Sequence, residues 1–399
     1  MSVNNVDIRL NVNSFVVTNF KSMSISYVKR KIGQSYLVWL QNANLYFLLE
    51  EPAWYVFSRV AKRYKTETIA RDFSHRYSVD LVESLTFVRD IRARTEKMNQ
   101  MKAWAEGNFQ VGFDISNFRN PCFSSAYYTL GTKVIRFTYG NELLERYIRP
   151  LIRHLETTTN EATAHFELFE YQDDVVFRLN NEIVDVWTKQ ESHLVKGRVF
   201  IELVNILHNK TNKDWLMTVH AAAVTNEKKT ILFSASPGSG KSTFSALLQA
   251  RGFHLISDDF VPFAKDSLNA YPFPVAMSVK EGAMELLKNY YPELEGQPLT
   301  QVTPEKKVRH IPIANEKMDL LFPVAEIVFI KYDQAVEFEL EELDLTQGLR
   351  LLLQQIWVPP KPENVEILFD KLERLSFLQL TYSDTERALK TIENVFAHE

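Results

Sequence analysis

The chain has 399 residues, 45% hydrophobic and 24% charged, with 46 Lys and Arg against 50 Asp and Glu. That apolar content can bury about two or three domain cores, and the net charge of −4 excludes a chain built throughout as a polycation for nucleic acid. One cysteine, Cys122, excludes an intramolecular disulfide and any cysteine-cluster zinc site.

The opening Met-Ser-Val-Asn-Asn-Val-Asp lacks the basic-then-apolar pattern of a secretory signal. The apolar run Leu320–Ile330 is already interrupted by Glu326, so no membrane span is expected. A cytoplasmic protein is the resulting expectation. Charge is uneven: residues 1–100 carry 15 Lys and Arg against 9 Asp and Glu, while residues 326–399 carry 7 against 15. Such asymmetry favours more than one module, and the acidic end reads as a solvated surface.

Residues 1–100 read as a small α+β unit. Tyr36–Leu40 and Leu45–Leu49 are β-prone runs around the turn-like Gln41-Asn42-Ala43-Asn44, which predicts a hairpin. Pro52 suits a first helical turn, and Ala53, Val56, Phe57 and Val60 follow at helical spacing. A second helix is predicted over Thr68–Phe73. A third is predicted from Ser78 as N-cap, with Leu81, Val82, Leu85, Val88 and Ile91 as its apolar face. A hairpin followed by three helices is winged-helix-like. Residues 101–125 read as a linker, broken by Gly107, Gly112, Asn117, Asn120 and Pro121.

Residues 126–399 form the second predicted domain. Its first part alternates strand signals (Lys133–Thr138, His165–Tyr171, Val175–Leu179) with helical ones (Glu142–Thr157, Val199–His208). Ala325–Lys331 reads as a strand, Gln347–Ile356 and Thr385–Phe396 as helices, and Tyr271-Pro272-Phe273-Pro274 as a rigid connector.

The most informative stretch is His220 to Phe263. Thr230–Phe233 reads as a strand, Ala235-Ser236-Pro237-Gly238-Ser239-Gly240-Lys241-Ser242 as a loop, and Thr243–Ala250 as a helix. Phe253–Ile256 is a second strand, with Ser257-Asp258-Asp259 at its end. Glycine is scarce, 12 in the whole chain, so the pair Gly238 and Gly240 stands out. The stretch nearly matches the phosphate-binding loop G-x-x-x-x-G-K-[ST]. Glycines let successive main-chain N–H groups converge on one anion, and the following helix adds the positive end of its dipole. Lys241 supplies a cation for the β- and γ-phosphates of ATP. Ser242 offers a hydroxyl to Mg²⁺, which prefers oxygen ligands. An aspartate at the neighbouring strand's end can hold that ion or accept a proton. Two adjacent carboxylates also repel, which raises one pKa. Ala235 stands where the first glycine is expected, a departure that costs strain only at positive φ. His220 lies 21 residues before Lys241, within reach of the loop through a hairpin, although a packed structural histidine has the same sequence appearance.

Val219-His220-Ala221-Ala222-Ala223, Ser236-Pro237-Gly238-Ser239-Gly240-Lys241-Ser242-Thr243 and Arg251-Gly252-Phe253-His254-Leu255-Ile256-Ser257-Asp258-Asp259 together resemble the HPr kinase/phosphorylase family. That resemblance implies an α/β fold related to phosphoenolpyruvate carboxykinase. It also implies ATP and Mg²⁺, held by Ser236 to Thr243, with Ser242 and Asp259 toward the metal. Asp258 is then the general base, Asp259 its metal- or hydrogen-bonding partner, and His220 a supporting residue of the same site. The family's downstream glycine- and arginine-rich stretch is not visible. Arg309 is a candidate phosphate contact, or simply part of a solvated basic turn. Residues 1–100 resemble the PqqD-like domains, winged-helix units that take a peptide as an extra strand. The pattern carrying this is Leu48-Leu49-Glu50-Glu51-Pro52, Thr66-Glu67-Thr68-Ile69-Ala70 and the long third helix.

The combined expectation is a kinase acting on a Ser or Thr hydroxyl of a peptide or small protein, such as a leader peptide held by the N-terminal unit. Three alternatives stay open: a kinase of a sugar or other small molecule, a non-catalytic ATP-binding regulator, and a DNA-binding regulator using the basic N-terminal unit, for which the basic excess is modest. The family resemblance also suggests homo-oligomers.

Overall fold

A computed structural model describes residues 25–101, 118, 120–303, 306–314, 316 and 318–397. Helices and strands mix throughout, and the strands gather into four sheets. Among the described residues, no helix is long and apolar enough to cross a membrane.

The N-terminal unit is an antiparallel sheet of Tyr27–Ile32, Ser35–Leu40 and Leu45–Glu50, followed by the helices Glu51–Ala61, Thr66–Tyr77 and Leu81–Gln100. The predicted hairpin is present, with Tyr36 opposite Leu49. Its turn closes with Asn44 at φ 49°, a left-handed conformation that asparagine tolerates. The first strand went unpredicted because Lys29, Arg30 and Lys31 break its apolar alternation. The third helix is capped by Asp80, whose carboxylate accepts from Val82 and Glu83 N–H, not by Ser78. Ser78 instead ends the second helix at φ 53°. The buried face therefore starts later than predicted: Leu81 and Val82 are exposed, and Ser84, Val88 and Thr95 turn inward.

Of the predicted linker, Gly107, Gly112 and Asn117 lie outside the described residues. Its end is not a linker, because Ser124–Leu130 is a strand. That strand belongs to a six-stranded sheet with Lys133–Tyr139, Glu156–Thr157, Ala164–Tyr171, Asp174–Leu179 and Glu182–Thr188. The helix predicted over 142–157 stops at Ile152, and Glu156–Thr157 crosses to pair with Ser124–Leu130. A second helix, Val195–Leu207, covers the sheet with it, and Phe137, Phe166, Leu203 and Trp215 share one core.

The ten-stranded sheet holds the phosphate-loop motif. Thr230–Ser234 sits between Ala222–Thr225 and Phe322–Tyr332, and it runs parallel to the latter. Ser376–Tyr382 lies parallel on the far side of Phe322–Tyr332. One face carries the helices Lys241–Ala250 and Thr385–Ala397, packed through Phe244, Leu248, Leu389 and Ile392. The other carries Leu345–Leu352 and Pro362–Leu372. The helix predicted over 347–356 ends at Leu352, and Ile356–Trp357 becomes a strand against Trp215–Val219.

The N-terminal unit joins the second face, where Ile32, Leu37 and Trp39 enter the same core as Val365 and Phe369. Arg30 reaches Asp370 at 2.7 Å, Glu373 at 3.5 Å and Glu366 at 3.8 Å. Part of the acidic C-terminal surface is thus a docking face for a basic one, not only a solvated exterior. The connector at 271–274 is internal: Tyr271 and Phe273 are buried, and the Pro272 and Pro274 carbonyls accept from His208 and His154.

Candidate functional site

Thr230–Ser234 is wholly buried, as a β-branched and aromatic run in the middle of a sheet should be. The chain leaves it through Ala235, which is buried beside Phe233 and Phe244. Ala235 does not take positive φ, so alanine in place of the first glycine carries no backbone strain. Gly238 and Gly240 do, at φ 93° and 91°. A Cβ at Gly238 would meet open space, so backbone conformation alone, not crowding, calls for glycine there. Gly240 occupies the N-cap position of Lys241–Ala250. Ser236, Pro237 and Gly238 are exposed, and Ser239, Ser242 and Thr243 are half-buried. The loop is pinned from behind where Tyr332 N–H donates to the Ser239 carbonyl, 3.2 Å.

The sheet then brings the other predicted residues to Lys241. His254–Ser257 lies beside Ala222–Thr225 and ends at the acidic pair. The Lys241 ammonium donates to Asp258 Oδ1 at 2.7 Å and also to Asp259 Oδ1. Lys241 and Asp258 are almost fully buried, at 9% and 2% side-chain exposure, whereas Asp259 is 47% exposed. Asp259 has φ 62°, so the chain turns sharply and the two carboxylates meet the ammonium from different surroundings. Asp258 faces the loop, with Ser242 Oγ 3.5 Å from its Oδ2. Asp259 faces outward beside His220, whose Nε2 is 3.9 Å from Asp259 Oδ1.

His220 reaches this point through the Ala222–Thr225 and Thr230–Ser234 hairpin. Its N–H donates to the Gln355 carbonyl at 2.7 Å, and Ser234 Oγ donates to its carbonyl at 3.2 Å. Its Nδ1 donates to the Asp259 carbonyl at 3.2 Å. The packed-histidine alternative therefore gives way to an exposed imidazole held at the acidic pair.

Burial pushes the Asp258 carboxyl above the usual carboxylate range, and Lys241 only partly opposes this. Desolvation would also raise Asp259, but the Lys241 ammonium outweighs it and holds that carboxyl low. Burial would lower Lys241, and the two carboxylates more than offset it.

The remaining candidate is elsewhere in the chain's pairing scheme. Arg309 stands opposite Val279 in the small sheet of Met277–Lys280, Thr300–Thr303 and Lys306–Ile311. Among the described residues it makes no hydrogen bond or ion pair to the 235–242 loop. Sequence reasoning missed Tyr332 and Tyr382, which flank Gly240, and the 354–357 segment beside His220. No spacing signal links these to the loop, because long-range sheet pairing brings them in.

The donor set fits the groups the motif implies. Two left-handed glycines, a helix N-terminus and a lysine suit a polyphosphate. Ser242 Oγ and the Asp258 carboxylate are hard oxygens suited to Mg²⁺. Among the described residues, no group of three or more His, Cys, Asp or Glu is placed to hold a metal ion.

No family model matches the chain, and no curated protein does. Among solved structures, it is similar to the Hpr(Ser) kinase/phosphatase from Coxiella burnetii over 44% of this chain and 88% of that one, at 12% identity and a TM-score of 0.19. A superposition that loose leaves the site's own geometry as the support for a function.

Proposed function

We propose that the chain is an ATP-dependent phosphotransferase of HPr-kinase-like architecture, acting on a Ser or Thr hydroxyl of a peptide or small protein. The observation that carries this is Lys241, first residue of the helix behind two left-handed glycines, bridging Asp258 and Asp259. Ser236 to Thr243 hold the phosphates. Ser242 and Asp258 offer oxygens to Mg²⁺, which when bound shields phosphate charge. Lys241 exchanges its carboxylates for the phosphates and stabilises the charge that spreads during transfer. The hydroxyl oxygen forms a bond to the γ-phosphorus as the bond to the bridging oxygen breaks, and ADP leaves with that electron pair. The hydroxyl proton passes to the acidic pair.

The family resemblance gives Asp258 the base's role and makes Asp259 its metal- or hydrogen-bonding partner. We infer the exchange, because Asp258 touches Ser242 and Asp259 faces outward beside His220, and because Lys241 in turning to the phosphates releases the carboxylate it holds low. His220 orients Asp259 through the carbonyl of that residue. The N-terminal unit, read as PqqD-like, has Leu45–Glu50 at the end of its strand order, an edge to which a peptide can add. It would hold the substrate near the site and raise its effective concentration.

The test is transfer from γ-labelled ATP with Asp258→Asn and Asp259→Asn. Both should lose at least about 100-fold in kcat. The Asp259 variant should keep metal-dependent nucleotide binding, and the Asp258 variant should lose it. Unchanged transfer in both refutes the site.

A further inference from the structure

A recess of about 340 Å³ opens beside the acidic pair. Its size lies within the range of small-ligand pockets, roughly 300–1,000 Å³. Asp259 and His220 stand in its wall, and no residue of the 235–243 loop does, so it lies on the carboxylate side of Lys241 and not on the phosphate side. The rest of the wall is uncharged: Thr218, Phe260, Gln354, Gln355 and Trp357 contribute most of it.

A second, much tighter cleft of about 20 Å³ shares Thr218, Phe260 and Trp357 with the recess and is lined also by Ile201 and Met217. The lining of that cleft is almost wholly apolar. Thr218 pairs with Trp357 and Val219 with Ile356 across the sheet. Ile356–Trp357 ends the sheet's strand order, so its outer main-chain edge has no strand partner among the described residues.

We propose, resting on the phosphotransferase reading above, that this recess seats the acceptor, and that the acceptor is an extended peptide segment whose hydroxyl residue is flanked by a large uncharged apolar side chain packed against Trp357. Three features select this chemistry. The acceptor hydroxyl is placed at Asp259 and His220. Apart from these two, which the acceptor hydroxyl engages, no ionisable side chain lines the walls, so a charged flanking group on the Trp357 side would lose water without gaining a partner. Gln354 and Gln355 offer amides to a peptide main chain, and the unpaired edge of Ile356–Trp357 offers it a strand to lie beside. Trp357, common to both clefts, is the type of aromatic anchor that dominates recognition energies.

The test uses the full chain, labelled ATP and short Ser peptides that differ only in flanking residues: Leu, Phe, Asp or Lys, with glucose alongside. Leu- and Phe-flanked peptides should exceed Asp- and Lys-flanked ones by 10-fold or more in kcat/KM. Trp357→Ala should raise KM for the Leu peptide about 10-fold with kcat and nucleotide affinity nearly unchanged, and Trp357→Phe should retain most of the preference. Gln354→Lys, at an exposed position, should improve the Asp-flanked peptide, a gain that misfolding cannot imitate. The proposal falls if flanks do not matter, if Trp357→Ala and Gln354→Lys both keep the wild-type preference, if glucose alone is labelled, or if nothing is labelled although Mg-ATP binds. Failure of Mg-ATP to bind sinks the phosphotransferase reading itself.

Discussion

Lys241→Met removes the ammonium between two carboxylates and keeps the side chain's apolar bulk. Asp258 is then left at 2% exposure with no cation, and breaking a buried pair from one side costs about 3–5 kcal/mol. Protonation offers Asp258 a cheaper state. Its carboxyl is already pushed upward by burial, and losing Lys241 removes the attraction that opposed this. A carboxyl whose pKa is higher folded than unfolded binds more protons in the folded state. Stability therefore falls as pH rises between the two values, by up to about 1.4 kcal/mol per pH unit. The variant should lose less at pH 5 than at pH 8, where the loss reaches about 3 kcal/mol. Adding Asp258→Asn should recover most of that loss at pH 8. Urea unfolding followed by circular dichroism at the two pH values measures it. Equal losses at both pH values, with no recovery in the double variant, would refute the buried ion pair.

Ala235→Gly should not raise transfer activity, because Ala235 already has an allowed φ; it should cost about 1 kcal/mol through a lost buried methyl and a looser unfolded chain, read from urea midpoints. Burial, with Lys196 and His154 nearby, lowers His310 to about 4. The folded state then binds fewer protons than the unfolded one, so stability should drop on acidification between pH 6.5 and 4, by on the order of 3 kcal/mol, and His310→Gln should flatten that slope. His154 and His208, lowered by burial, add in the same direction. Gly348→Ala would set a Cβ 2.2 Å from Cγ of the buried Phe377; the overpacking, about 1–3 kcal/mol, should exceed the roughly 1 kcal/mol gained in helix propensity and lower Tm.

The loop, its helix and the acidic pair were legible because they are local: strand, glycines, Lys241-Ser242 and Asp258-Asp259 lie within about thirty residues, and each signal has a near-neighbour cause. His220 was legible as a distance along the chain, and the hairpin supplied the contact. The hairpin of residues 36–49 was legible from two β-prone runs. Other parts depend on distant pairing. Ile356–Trp357 looks like the end of a helix until Trp215–Val219 claims it as a strand. Ser78 is a good N-cap by composition, but Asp80 competes two residues later and wins with two N–H bonds. The acidic 366–373 surface could not be matched to Arg30 without knowing that the N-terminal sheet docks there. The recess is the extreme case, since its walls come from three segments spread over about 140 residues.

The most direct test is calorimetric titration of Mg-ATP into the full chain. Binding near one equivalent, weakened 10-fold or more by Lys241→Met and by omission of Mg²⁺, is the predicted result. No heat with the wild-type chain, or the same affinity in the variant, would contradict a phosphate site at Gly238 to Ser242.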